Sequence, residues 1–220
     1  MALHALIFDV DGTLADTQRD GHRVAFNAAF AQVGLTGRWD EALYGELHAL
    51  ARRLHISKTW HYVERVAAGA VHLRLGVERL LVQARREGLR LTIATTTTRA
   101  NVIAQLQATL GAGAGYLFEV IGTAQDVATK KPDPAVYHRV LARLRLPPEN
   151  ALALENSRNR LVAATRARLA CIVTSTANSA ADNFAEALVR RTDLDHQPEE
   201  PAVPATLNDL RRWQAPAVSF

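Results

Sequence analysis

Five short apolar runs of strand length recur along this chain and constrain its fold more than any other feature. Turn-forming or polar residues bound each run, as they bound buried strands. The runs lie at Ala5–Phe8, Leu89–Ala94, Leu117–Ile121, Ala151–Leu154 and Leu169–Val173. Segments with helical spacing separate them, two of which stop at Gly88 and Gly111. This alternation predicts an α/β fold with a doubly wound, mostly parallel sheet, whose ligands bind outside the carboxyl ends of the strands.

The stretch from residue 16 to residue 74 interrupts the alternation. Its apolar residues, such as Val24, Phe26 and Ala29, have helical spacing, and it contains no convincing strand. We therefore predict a core formed by residues 1–15 and 75–220, with residues 16–74 as an inserted α-helical cap. A last helix is expected near Leu207.

The composition is that of a globular chain. Hydrophobic residues make up 48% and charged residues 22% of 220 residues, enough for one substantial core. The N-terminus has no basic region before its apolar stretch, and no segment reaches the ~18 apolar residues of a membrane span. The single cysteine, Cys171, excludes an internal disulfide framework. We expect a cytoplasmic monomer that does not bind membranes.

The net charge of +4 does not indicate nucleic-acid binding. The basic residues are scattered in pairs, and neither an aromatic platform nor a groove-reading motif accompanies them. A small phosphorylated substrate accounts for the positive charge equally well.

Two aspartates, Asp9 and Asp11, follow the first predicted strand directly. Residues i and i+2 of an extended segment face the same side, so both carboxylates can address one ligand while Val10 points to the core. One carboxylate can attack phosphorus while the other handles a proton. Gly12 allows the chain to turn tightly after them. The pair therefore predicts phosphoryl transfer with Asp9 as nucleophile and Asp11 as acid and base.

Two simpler interpretations of the same residues remain open. An Asp-x-Asp-Gly run is also typical of a surface turn. It also begins a calcium loop, but Leu14 and Ala15 follow where further oxygen ligands are needed, and no closing glutamate is present.

The segment from Phe8 to Leu14 resembles the first motif of the haloacid dehalogenase superfamily, and three later segments resemble its other motifs in order. Thr95, at the end of the second predicted strand, is similar to the residue that holds the transferring phosphoryl group. Thr96 and Thr97 follow it and are candidates for substrate binding. Lys131, directly before Pro132, resembles the lysine that neutralises the nucleophile and the phosphate. A threonine run is also typical of a helix cap, and Lys130 and Lys131 can also be a solvated pair.

Glu155 and Asn156 resemble the fourth motif, at the end of the fourth predicted strand. The resemblance implies a Mg²⁺ ion held by Asp9, the backbone carbonyl of Asp11, Glu155 and Asn156. The family usually has a second carboxylate where this chain has Asn156. An amide oxygen brings no negative charge, so we expect weaker metal binding.

Within this superfamily, the chain is similar to the subgroup of CbbY-like xylulose bisphosphate phosphatases. Ala25-Phe26-Asn27 and the stretch from Ile93 to Thr98 support this likeness. The cap loop of the subgroup is missing, so the cap is shortened. Arg160 and Arg168 stand where the family prefers glycine, and we expect a long charged side chain to strain the contact between helix and sheet there.

The resemblance implies a magnesium-dependent phosphatase acting on a small sugar phosphate, with xylulose bisphosphate as the first candidate, in carbohydrate metabolism. An alternative is a catalytically impaired relative that binds phosphorylated ligands or a protein partner. A phosphomutase shares the same intermediate. A haloacid dehalogenase is disfavoured because it does not need Asp11 as a second acid.

Overall fold

The structure, a computed structural model, describes residues 2–17, 22–32, 47–197 and 202–215. Within them, six strands form one sheet in which every pair of neighbours is parallel. The strands are β1 (Ala5–Phe8), β2 (Arg90–Ala94), β3 (Val120–Gly122), β4 (Ala151–Glu155), β5 (Ala170–Thr174) and β6 (Val189–Arg191). Their order across the sheet is β3-β2-β1-β4-β5-β6. The predicted α/β fold with a parallel sheet is confirmed.

Helices connect and cover the strands. They are α1 (Arg23–Gln32), α2 (Leu47–Ala67), α3 (Val77–Arg86), α4 (Arg99–Leu110), α5 (Ala135–Leu144), α6 (Arg158–Arg166) and α7 (Leu207–Gln214). Single 3₁₀ turns lie at Ala114–Leu117, Pro148–Asn150 and Ala177–Ser179. Among the described residues, no helix combines the length and the apolar character needed to cross a membrane.

The alternation of side chains along each strand divides the core into two layers. Leu6 and Phe8 of β1 pack with α3, α4 and α7 on one face of the sheet. Ala5 and Ile7 of the same strand pack with α5 and α6 on the other face. Because successive residues of a strand point to opposite faces, one apolar run fills both layers.

The sequence-based strand boundaries were right in part. β1 lies where the apolar run predicts it, and β4 extends one residue further, to Glu155. β2 and β5 each begin one residue later than predicted, at Arg90 and Ala170, and β5 also ends one residue later. The run predicted from Leu117 was wrong at its start, because Leu117 ends a 3₁₀ turn and β3 begins only at Val120. β6 was not predicted, since its sequence, Val-Arg-Arg, contains no apolar run.

Part of the predicted cap lies outside the described residues, namely 18–21 and 33–46. The described part contains α1 and α2, and it contains no strand, in agreement with its helical spacing. Ala25 of α1 and both Tyr62 and Val66 of α2 form a small buried cluster with Ala15 and Val71. The domain boundaries at residues 16 and 74 stay a prediction.

Candidate active site

Asp9 directly follows β1, an interior strand of the sheet, and its side chain is buried. Lys131 Nζ donates hydrogen bonds to Asp9 Oδ1 at 3.1 Å, to the carbonyl oxygen of Ala94 at 2.7 Å and to Glu155 Oε1 at 2.5 Å. The Lys131 side chain is only 2% exposed. One buried ammonium group therefore joins the carboxylates that follow β1 and end β4. Its charge offsets the repulsion between them.

Glu155 is the last residue of β4 and is fully buried. Its Oε1 also accepts a hydrogen bond from the Tyr137 hydroxyl, whereas Oε2 has no hydrogen-bond partner among the described residues. Burial, and then the charge of Asp9, raise the pKa of Glu155 to about 7, although Lys131 and Arg160 oppose the shift. Glu155 therefore carries a proton part of the time near neutral pH.

The raised pKa of Glu155 makes the stability of the protein depend on pH. The folded state binds this proton more tightly than the unfolded chain, in which the pKa is near 4.5. The stability linked to this proton is fully present below about pH 4.5 and is lost as the pH rises through about 7. We expect Glu155→Gln to remove this loss, which amounts to about 3 kcal/mol. Urea unfolding of both proteins across this range measures it, and parallel pH profiles would contradict the assignment.

Asp11 is also buried, and the hydrogen-bond partners of its side chain come from the predicted cap. Its Oδ1 accepts a hydrogen bond from the Thr17 hydroxyl at 2.7 Å and lies 2.8 Å from His22 Nε2. The His22 ring in turn stacks on Tyr62, with 4.3 Å between the ring centroids. Burial alone would raise the pKa of Asp11, but His22, Thr17 and Arg160 outweigh it and lower the pKa to about 2. Asp11 is therefore an ionised carboxylate in this conformation.

Arg160 brings a second cation to the same cluster. It lies in the first turn of α6, which begins two residues after Asn156. Its Nε is 3.2 Å from Asp9 Oδ2, in an ion pair that is not aligned as a hydrogen bond. Its Nη1 donates to Asn156 Oδ1 at 2.6 Å and to the backbone carbonyl of Asp11 at 3.1 Å. The expectation of strain between helix and sheet was wrong for Arg160, because the side chain points to the strand ends and finds partners there.

Thr95, Thr96 and Thr97 follow β2, the strand beside β1. Thr95 is buried, and its hydroxyl accepts a hydrogen bond from the amide of Thr97 at 3.3 Å. The Thr97 hydroxyl accepts from the side chain of Asn101 at 3.1 Å, so it also organises the start of α4. Thr98 caps that helix. The structure brings Thr95 to the edge that Asp9 occupies, and the roles of the three threonines stay predictions.

A family model decides how this cluster is to be understood. The haloacid dehalogenase-like hydrolase model matches residues 3–168, which include every residue of the cluster. The chain belongs to this family. The family and the hydrolase class predicted from the sequence are confirmed.

Similar proteins within the family carry the name CbbY. The chain is 44% identical to plasmid-encoded CbbY of Cupriavidus necator, covering 96% of this chain and 93% of that protein. It is also 44% identical to CbbY of Rhodobacter capsulatus, covering 88% and 95%. A crystal structure of CbbY from Rhodobacter sphaeroides with phosphate is 38% identical and superposes with a TM-score of 0.78 over 87% of this chain and 94% of that chain. A CbbY variant from the same organism was solved with xylulose-(1,5)bisphosphate, with the same identity and TM-score.

The oxygens that the family resemblance assigns to Mg²⁺ do not fit a metal ion in this arrangement. Asp9 Oδ2, the carbonyl oxygen of Asp11 and Asn156 Oδ1 all contact Arg160 instead. The predicted ligand Glu155 faces Lys131 and Tyr137. Among the described residues, no three His, Cys, Asp or Glu side chains are grouped so that they could hold a metal ion by themselves. Magnesium use therefore stays a prediction that this geometry opposes.

Sequence reasoning missed several side chains that hold the cluster together. Thr17 and His22 lie in the helical segment, where nothing local marks them as partners of Asp11. Tyr137 has the spacing of an ordinary core residue of α5. Arg160 was noticed as a departure from the family but not as a contact of Asp9. Its position in the first turn after the fourth motif was the signal that could have revealed it.

Proposed function

We propose that this enzyme hydrolyses a small sugar phosphate through an aspartyl phosphate on Asp9. The observation that supports this most is the pairing of Asp9 with two cations, the buried Lys131 ammonium on Oδ1 and the partly buried Arg160 guanidinium on Oδ2. A nucleophile that must meet a phosphate dianion needs compensating positive charge in a site of low dielectric. This chain concentrates such charge on one aspartate at the end of an interior strand.

The proposed reaction has two steps. A carboxylate oxygen of Asp9 attacks phosphorus and forms an acyl phosphate, while the ester P–O bond breaks and the sugar oxygen takes up a proton. Water then attacks phosphorus, the bond to Asp9 breaks, and inorganic phosphate leaves. Lys131 and Arg160 stabilise the negative charge on the phosphoryl oxygens in both steps. Thr95, with Thr96 and Thr97 beside it, is proposed to bind the phosphoryl group from the β2 side.

Asp11 is the proposed proton carrier. As an ionised carboxylate held by Thr17 and His22, it is ready to accept the proton of the attacking water. Asp11 must first acquire a proton before it can protonate the leaving oxygen of the sugar. The change of protonation is therefore part of the proposed cycle.

The predicted cap is proposed to admit and enclose the substrate. Asp9, Asp11, Thr95 and Glu155 are all buried, so the substrate reaches Asp9 only if a covering element moves. His22 and Tyr62, which belong to the predicted cap, pack beside Asp11. We propose that residues 16–74 open for substrate and close to exclude water.

Xylulose bisphosphate is the proposed substrate, because a CbbY to which this chain is 38% identical was solved with it. The remaining parts of the proposal are a role in carbohydrate metabolism, a cytoplasmic location and a monomeric state. The buried free thiol of Cys171 is compatible with a reducing compartment.

A panel of phosphate esters tests the proposed substrate. We expect faster release of inorganic phosphate from xylulose bisphosphate than from phosphoglycolate or an aryl phosphate. The control is a product analysis, since a phosphomutase would move the phosphate within the sugar rather than release it. Equal rates across the panel would contradict the substrate, and a moved phosphate would contradict hydrolysis.

Asp11→Asn is expected to lower turnover of the sugar phosphate by about 10²–10⁴-fold, because an amide cannot exchange the proton. The loss should be smaller for formation of the acyl phosphate from an aryl phosphate, whose leaving group needs no acid. The matched control is Thr17→Val, which removes one hydrogen bond to Asp11 and keeps its carboxylate. Equal losses with both substrates would argue that Asp11 has a different role.

A binding protein without turnover is the second candidate. The observation that favours it is the contact of Arg160 with three of the four groups that the family resemblance assigns to a metal. Such a protein would retain phosphate at Asp9 without releasing a product. Saturable phosphate binding, with no release from any ester, would favour it over the phosphatase.

A further inference from the structure

Arg160 contacts three of the four groups to which the family resemblance assigns a divalent cation at this edge of the sheet. Its guanidinium group contacts Asp9 Oδ2 at 3.2 Å, the carbonyl oxygen of Asp11 at 3.1 Å and Asn156 Oδ1 at 2.6 Å. These oxygens come from the segments that follow β1 and β4, two neighbouring strands. A carboxylate, a carbonyl and an amide oxygen are also typical ligands of Mg²⁺.

The local backbone brings Arg160 to this position. Ser157 precedes α6, and Arg160 lies in the first turn of the helix, next to the end of β4. A helical side chain leans toward the N-terminus of its helix, which here faces the strand ends. The Arg160 side chain is 15% exposed, so most of the guanidinium group has exchanged water for these oxygens.

Gly12 and Asn156 complete this arrangement. Gly12 has a φ of 82°, and a β-carbon at this position would overlap the Asn156 side chain. Asn156 therefore packs closely against the turn that presents the Asp11 carbonyl, and its Oδ1 accepts the Arg160 hydrogen bond. The neutral Asn156 amide accepts a hydrogen bond from the Arg160 guanidinium group. Because the amide adds no negative charge, no second cation is needed to balance it.

The cluster already holds two cations without a metal. Lys131 pairs with Asp9 and Glu155, and Arg160 pairs with Asp9. A divalent cation added beside Arg160 would meet a positive charge at contact distance, which is strongly unfavourable in a buried site.

We propose that Arg160 is the resident cation of this site and takes the place of the divalent metal, so that phosphate is held at Asp9 without Mg²⁺. The part of this inference that concerns turnover rests on the proposed function, whereas the part that concerns metal binding does not. The guanidinium remains within the fold at all times, whereas a metal would bind and leave. The enzyme therefore works, or binds phosphate, in the presence of a chelator.

Calorimetric titration with Mn²⁺ tests the inference without any need for activity. We expect no saturable Mn²⁺ binding by the wild type, and a gain of about 10²-fold or more in affinity for Arg160→Gly, because the like charge is gone. Adding Asn156→Asp to Arg160→Gly should strengthen binding further, since it supplies a carboxylate. The matched control is Arg158→Gly in the same helix, whose guanidinium pairs with Glu186 at the surface and not with the cluster.

The control should behave as the wild type does. If Arg160→Gly does not fold, Arg160→Gln keeps most of the length of the side chain, removes its charge and allows the same comparison. Saturable Mn²⁺ binding by the wild type, or folded Arg160 variants that bind Mn²⁺ no better than the wild type does, would overturn the inference.

Phosphate release adds a second readout. We expect a chelator to leave the wild-type rate unchanged and to stop Arg160→Gly, which then needs Mg²⁺. A wild type that a chelator stops would overturn the inference while leaving the phosphatase proposal intact. If the wild type releases no phosphate with or without metal, the phosphatase proposal fails, and the Mn²⁺ titration alone decides the role of Arg160.

Discussion

Asp9→Asn is expected to lower phosphate release by at least about 10⁴-fold, the scale seen when a covalent nucleophile is removed. The amide has almost the shape of the carboxylate, but it lacks the charge and the nucleophilic oxygen needed to attack phosphorus. Both cations that contact Asp9, Lys131 and Arg160, remain in place. The fold should therefore persist while the reaction stops. The measurement is release of inorganic phosphate, with circular dichroism to check the fold.

The matched control for this variant is Asp195→Asn. Asp195 forms an ion pair with Arg79 that is partly exposed and does not involve the cluster. Exposed ion pairs contribute little, so we expect a rate close to that of the wild type. Substantial phosphate release by Asp9→Asn would show that another group attacks phosphorus.

Lys131→Met is expected to have the second large effect, on both stability and turnover. The variant leaves the carboxylates of Asp9 and Glu155 buried without the ammonium group that joins them. Breaking a buried pair by removing one partner costs about 3–5 kcal/mol. Turnover should fall by about 10²–10³-fold, the scale for loss of one charged group that stabilises the transition state. Urea unfolding and phosphate release measure the two effects.

Two further variants define the cause of this loss. Lys130→Met removes the neighbouring lysine, which is exposed, and should change stability by less than about 0.5 kcal/mol. In Lys131→Met the carboxylates of Asp9 and Glu155 repel each other. Adding Glu155→Gln removes one of these two negative charges and should restore part of the stability. Equal effects of Lys130→Met and Lys131→Met would mean that the cluster does not depend on the buried ammonium group.

Apolar strands alternating with helices were enough to predict the sheet, because a buried parallel strand needs a continuous apolar run. β6 escaped this reasoning because it lies at the edge and pairs only with β5. Its Arg191 is buried and donates hydrogen bonds to the backbone carbonyls of Asp193 and Val203. Tertiary partners, rather than apolar side chains, make this segment a strand.

The site was predictable where its residues follow strands. Asp9, Thr95, Glu155 and Asn156 all lie at strand ends, and parallel strands bring their carboxyl ends to one edge. The position of Arg160 in the first turn after the fourth motif indicates that it lies near the site, but a sequence does not specify which partners so long a side chain finds. Arg168 differs again: its φ of 60° places a non-glycine residue in the left-handed region after α6. Glycine would adopt this conformation without the cost of about 1 kcal/mol.

One pre-steady-state measurement decides whether Asp9 carries the phosphoryl group. Asp11→Asn is mixed with an aryl phosphate, whose leaving group departs without an acid. Formation of the acyl phosphate should then be faster than its hydrolysis. Release of the phenol is followed in time, and the quenched protein is examined by mass spectrometry for phosphate at Asp9. We expect a burst of about one phenol per enzyme molecule, with phosphate on Asp9. Steady phenol release with no burst and no phosphate on Asp9 would contradict it.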